Sequence, residues 1–102
     1  MLSLFKNMFG KPTDFKGIYE NGALILDVRS PREFSTGHIK GAINIPVGDL
    51  KLHIAELKKT NKAIIACCQS GGRSEVARIT LGTAGLEVYN GGSWNGLERK
   101  IQ

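Results

Sequence analysis

Apolar residues in this chain fall into short, mostly apolar runs, and between the runs they recur every three or four positions. The runs cover residues 24–28, 42–45, 63–67 and 86–89. Each is too short for a helix and is bounded by turn-forming residues, so each predicts a buried strand. The intervening segments predict helices. Phe15, Ile18 and Tyr19 fall at i, i+3 and i+4, with Thr13 placed to cap the start and Gly22 to stop the helix. Pro31 opens a helical turn that runs through Phe34 and ends at Gly37. Beyond Pro46, Asp49 is placed to cap a helix carrying Leu50, Ile54 and Leu57 on one face, and Thr60-Asn61-Lys62 forms the turn out. A helix from about Arg73 to Thr83 puts Val76, Ile79 and Thr80 on one face, with Gly85 in the C′ position. Residues 93–101 predict a last helix.

Strands of this length alternating with helices predict an α/β fold, a small parallel sheet of four or five strands with helices on both faces. Ligands of such sheets bind beyond the carboxyl ends of the strands. The 102 residues make one domain. Residues 1–12 read as a flexible, amphipathic lead-in. Their apolar residues are broken by Ser3, Lys6 and Asn7, and no small-residue cleavage pattern follows, which sets them apart from a signal peptide. No apolar run approaches the ~20 residues that a membrane-spanning helix requires.

The third strand runs directly into Cys67-Cys68-Gln69-Ser70-Gly71-Gly72-Arg73-Ser74, and then into a helix. Gly71 and Gly72 permit the positive-φ turns that make successive amides converge, and the helix that follows aims its free N–H groups and its dipole at the same point. A cysteine there is expected to titrate below the free-thiol value of about 8.5. The two cysteines are neighbours, an arrangement that closes almost no chain as a disulfide. Their presence suits a reducing, cytoplasmic setting and a reactive thiol. The formal net charge of +5 favours a small anionic substrate. The basic residues are scattered, and the pairs Lys58-Lys59 and Arg99-Lys100 read as solvated surface, so neither nucleic acid nor membrane is expected as a partner. A monomer is expected.

Three stretches in order resemble rhodanese-type sulfurtransferases. Residues 26–34 (Leu-Asp-Val-Arg-Ser-Pro-Arg-Glu-Phe) and 37–46 (Gly-His-Ile-Lys-Gly-Ala-Ile-Asn-Ile-Pro) resemble the family's first signature. Residues 68–74 are similar to its active-site loop, and Gly91-Gly92 to its C-terminal turn. The resemblance departs near the end. The family often has a tryptophan four residues after the second glycine, where Gly96 stands, whereas Trp94 lies two residues after Gly92. The resemblance implies a single-domain rhodanese fold with Cys68 as the catalytic residue. It implies that Gln69, Ser70, Gly71, Gly72, Arg73 and Ser74 form an anion-binding loop, with no cofactor. It further implies that a sulfane sulfur passes from thiosulfate or a similar small anionic donor to Cys68, and on to cyanide, a small thiol or a protein thiol.

Register separates this reading from another enzyme class. Counted from Cys68 the loop to Arg73 has six residues, a bowl sized for one sulfur atom; counted from Cys67 it has seven and resembles a tyrosine-phosphatase signature. Successive strand residues face opposite ways, so if Cys68 looks into the loop, Cys67 looks away. Ala66 stands where phosphatases usually carry a histidine before the nucleophile. Cys67 is then expected to be a small apolar filler. A non-enzymatic sulfur carrier or binding module remains open beside both. Arg73 is expected near the loop, where it would add positive potential. Asp27 and Arg29 are expected to form a structural ion pair, His38 to make a structural hydrogen bond, and His53 to be packed or partly exposed. No His or Cys spacing suggests a metal site.

Overall fold

The computed structural model describes residues 12–102; the expected lead-in lies almost wholly outside them. Four parallel strands form one sheet: β1 (Leu24–Asp27), β2 (Ile43–Asn44), β3 (Ile64–Cys68) and β4 (Val88–Ser93), in the order β2-β1-β3-β4. β3 is buried along its whole length, which is why it reads as an unbroken apolar run.

The pleat of β3 divides the core in two. Ile64, Ala66 and Cys68 join Leu26, Val28, Ile45, Leu50, Leu57, Ala77 and Leu81 on one face. Ile65 and Cys67 join Ile25, Ile39 and Leu97 on the other, with Phe15, Ile18, Trp94 and Ile101 packed against them. The first face is covered by a 3-10 helix (Val47–His53), the short α3 (Ile54–Lys59) and α4 (Gly72–Thr83). The second is covered by α1 (Phe15–Glu20) and α5 (Trp94–Ile101). The remaining helix, α2 (Pro31–Thr36), follows β1 and is closed at its start by a capping box between Ser30 and Glu33. Among the described residues no helix is long and apolar enough to cross a membrane.

Several expected details differ. The cap of α1 is Asp14, not Thr13, because its carboxylate reaches the Gly17 amide at 3.0 Å. Asp49 caps nothing: it lies inside the 3-10 helix, its own amide donating to the Pro46 carbonyl at 2.8 Å. The face of α4 carrying Val76 and Ile79 points outward, at 52% and 54% exposure. The helix packs instead through Ser74, Ala77 and Leu81, whose first two small side chains let it lie close on the sheet.

β4 begins and ends later than its apolar run suggests. Its pairing to β3 steps from Ala66↔Asn90 to Cys68↔Ser93, two residues against three, which is a bulge. Gly91 is required there: a Cβ on it would lie 2.8 Å from Leu97 Cδ2, 2.9 Å from Ile65 Cγ2 and 3.0 Å from the Ala66 carbonyl. Ser93 then caps α5 by accepting from the Gly96 amide at 3.3 Å.

Candidate active site

The end of β3 delivers two thiols to different environments. Cys67 is fully buried in the α1/α5 core. Burial first, and then the Asp27 carboxylate, push its thiol up to about 12. Cys68 is buried at the opposite face, under the loop that leads into α4.

That loop is wrapped around the Cys68 sulfur. Gly71, at φ +105° and ψ −12°, is the N-cap residue of α4, and its amide donates to Cys68 Sγ at 3.0 Å. This left-handed conformation is one that side chains with a Cβ rarely adopt. Gly72 differs from expectation: it is the first residue of α4, its φ is not positive, and nothing lies within 4 Å of a Cβ built on it. The turn therefore rests on Gly71 alone. Gln69 and Ser70 are exposed, while Ser74 is fully buried with Oγ 3.4 Å from Cys68 Sγ. Burial alone would raise the Cys68 thiol. The Ser74 hydroxyl and the amides of Ser74, Gly71 and Ser70 outweigh it and hold the thiol below its ordinary value.

Arg73 lies in the first turn of α4, beside the loop, and its charge is engaged. It makes a forked contact with Glu33 on α2, at 2.7 and 2.9 Å. Arg73 and then the Ser30 amide hold the Glu33 carboxyl down to about 2. Glu33 thus serves two elements, closing the capping box of α2 and tethering the loop across the site. The low value of the Cys68 thiol comes chiefly from hydrogen bonds, not from a free cation.

Behind the loop, Asp27 and Arg29 form the expected structural pair, both buried, with Arg29 Nη2 2.7 Å from Asp27 Oδ2. Arg29 also donates to the Gly37 carbonyl at 2.7 Å and lies 5.0 Å from the centre of the Trp94 ring. Trp94 in turn packs on Gly37, where a Cβ would meet its ring at 3.1 Å. The displaced tryptophan therefore anchors the start of α5 against the segment after α2. His38 bonds the Phe34 carbonyl at 2.7 Å and stacks on the Phe34 ring; His53, partly exposed, contacts Glu56 at 3.2 Å. Among the described residues no group of three or more His, Cys, Asp or Glu side chains could hold a metal ion.

Two residues at the site carried no role in the sequence reading. Glu33 had a legible signal, since Ser30-x-x-Glu33 is a capping-box pattern. Asn90 had none beyond standing before two glycines. Its Oδ1 is 2.6 Å from Ser74 Oγ and accepts from the Gly92 amide at 3.0 Å, while its Nδ2 donates to the Gly71 carbonyl at 3.2 Å.

Comparison with known proteins places this arrangement. A family model described as a rhodanese-like domain matches residues 11–99. The chain is similar to the uncharacterized protein YqhL of Bacillus subtilis (strain 168), 44% identical over 78 residues, covering 76% of this chain and 60% of that protein. It is similar to the chloroplastic thiosulfate sulfurtransferase 16 of Arabidopsis thaliana, 38% identical over 97 residues, covering 78% of this chain and 81% of that protein. Among solved structures it resembles a rhodanese with anions from E. coli, with a TM-score of 0.68 and 31% identity over 74% of this chain and 91% of that one.

Proposed function

Because this chain belongs to the rhodanese-like domain family, we propose that it transfers sulfane sulfur through a persulfide on Cys68. The observation that carries the reading is the loop wrapped on that sulfur, with the Gly71 amide 3.0 Å from Sγ and the Ser74 hydroxyl behind it. The Cys68 thiolate attacks the outer sulfur of thiosulfate or a similar donor. The new S–S bond forms as the donor's S–S bond breaks, and sulfite leaves with that electron pair. The product, Cys68–S–S⁻, keeps the negative charge, which backbone donors aimed into the bowl stabilise. An acceptor, cyanide or a thiolate, then attacks the outer sulfur and releases the Cys68 thiolate.

The six-residue span from Cys68 to Arg73 supports sulfur over phosphate as the transferred group. So does the place of Cys67, buried in the other half of the core with its thiol pushed up to about 12, where it is no nucleophile for a seven-residue bowl. The donor is a small anion, the acceptor a small-molecule or protein thiol, and the setting a reducing compartment. In this reading the protein acts as a monomer.

The test is a pair of turnover assays on one preparation. Thiocyanate formation from thiosulfate and cyanide is expected, and it is lost in Cys68→Ser. Hydrolysis of p-nitrophenyl phosphate is expected to stay at background. Cysteine-dependent phosphatase turnover without thiocyanate formation would overturn the proposal.

A further inference from the structure

Ser74 has one hydroxyl proton and three acceptors within reach: Asn90 Oδ1 at 2.6 Å, the Gly71 carbonyl at 3.1 Å and Cys68 Sγ at 3.4 Å. The nearest is also the best held. The Gly92 amide donates to Asn90 Oδ1 at 3.0 Å, and Asn90 Nδ2 donates to the Gly71 carbonyl at 3.2 Å and to Glu75 Oε1 at 3.3 Å. A flipped carboxamide would set Nδ2 against the Gly92 N–H and Oδ1 against the Gly71 carbonyl and the Glu75 carboxylate, so the oxygen is the atom that faces Ser74. A hydroxyl oxygen whose proton points at Asn90 turns lone pairs toward the sulfur and can accept from a neutral S–H. To donate to a thiolate it must rotate and leave its shortest bond.

We propose that Asn90 is a positioning residue that holds the Ser74 proton away from Cys68, so that the sulfur receives it only when the sulfur carries a charge. The role rests on the sulfur-transfer reading for its use: the hydroxyl turns toward sulfur when the thiolate forms and back when the thiol is restored. It acts through Ser74 and touches no substrate.

The charged and titratable groups around this pair are accounted for. Cys67 on β3 is pushed up to about 12, and Glu33 on α2 is held at about 2. On α4, Arg73 is held above its ordinary range by Glu33 and Arg78 by Glu75, and Glu75 is held below its own by Arg78. Asp27 and Arg29 form their buried pair beside Cys67. Cys68 is therefore the group whose titration reports the hydroxyl's orientation.

Replacing Asn90 by a side chain of similar size with no acceptor frees the Ser74 proton for the sulfur. The midpoint of Cys68 alkylation against pH is expected to fall by up to about one unit in Asn90→Leu, the size of the Ser74–Asn90 hydrogen bond that the wild type gives up when the thiolate forms. In a Ser74→Ala background the same substitution is expected to leave the midpoint in place. Asn90→Asp keeps an acceptor and adds charge, so the midpoint is expected to rise, and to rise less when Ser74 is absent. It also serves as the test should Asn90→Leu fail to fold by thermal unfolding. A rise in Asn90→Leu would show that Asn90 only holds the loop together, and a fall that persists without Ser74 would show a direct effect; either overturns the proposal, as would no shift in Asn90→Asp. Persulfide loading of the wild type, measured alongside, reports separately on sulfur transfer, because alkylation midpoints are obtained whether or not sulfur loads.

Discussion

Gly71→Ala is the sharpest perturbation of the bowl. The native residue sits at φ +105° and donates its amide to Cys68 Sγ at 3.0 Å. Space is not the obstacle, since a Cβ there would meet its nearest neighbour, Gly92 Cα, at an ordinary 3.6 Å. The cost is conformational, about 1–3 kcal/mol for a non-glycine residue held in such a region. In a domain of this size that lowers the thermal midpoint by roughly 4–8 °C for each kcal/mol. If the loop relaxes instead, the amide swings off the sulfur. A hydrogen bond to a charged group is worth roughly 1.5–3 kcal/mol, so the Cys68 midpoint would then rise by about 1–2 units. Strain retained shows in stability and strain released shows in titration, so one of the two must move. The assay is thermal unfolding beside the rate of iodoacetamide alkylation across pH. Gly72→Ala is the control: its φ is not positive and its Cβ would meet nothing within 4 Å, so both readouts should stay near wild type. Equal effects at the two glycines, or none at Gly71, would refute the account of the loop.

Other outcomes follow from the surroundings. Glu33 is held at about 2 by Arg73, so its folded form is favoured above its ordinary range near 4.5, and the favour is lost as pH falls toward 2. The thermal midpoint of Glu33→Gln should therefore lie below wild type at pH 6 and converge with it near pH 2; a gap that persists at acid pH would contradict this pairing. Cys67, fully buried and pushed up to about 12, should resist alkylation in the native protein at pH 8 and react only after unfolding, so mass spectrometry should count one adduct and then two. Arg29→Met leaves the Asp27 carboxylate buried without its partner and should cost roughly 3–5 kcal/mol in denaturant unfolding. A loss under about 1 kcal/mol would show that water reaches Asp27.

The strands were legible where burial on both faces makes a sequence uniformly apolar, as in β3. The strand–loop–helix order around Cys68 followed from the glycines and the apolar run, and strand alternation alone separated the surroundings of the two thiols. What the sequence did not show depends on partners distant in the chain. Arg73 reads as a free cation until Glu33, 40 residues earlier, is brought against it. Asn90 gains its place only when β4 pairs with β3, which sets it opposite Ala66 and beside Ser74. α4 misleads in a different way: Val76 and Ile79, two of its three large apolar residues, face outward, while the helix packs on the sheet through Ser74, Ala77 and Leu81. Gly71 and Gly72 look equivalent in sequence, and only the backbone tells which of them needs positive φ.

The claim on which the account turns is that Cys68, and not its neighbour, takes up sulfur. Intact mass after incubation with thiosulfate tests it most directly. One sulfur atom should add to the wild type and to Cys67→Ala, should be removed by cyanide, and should not add to Cys68→Ser. Sulfur retained in Cys68→Ser, or lost in Cys67→Ala while that protein stays folded, would contradict the account.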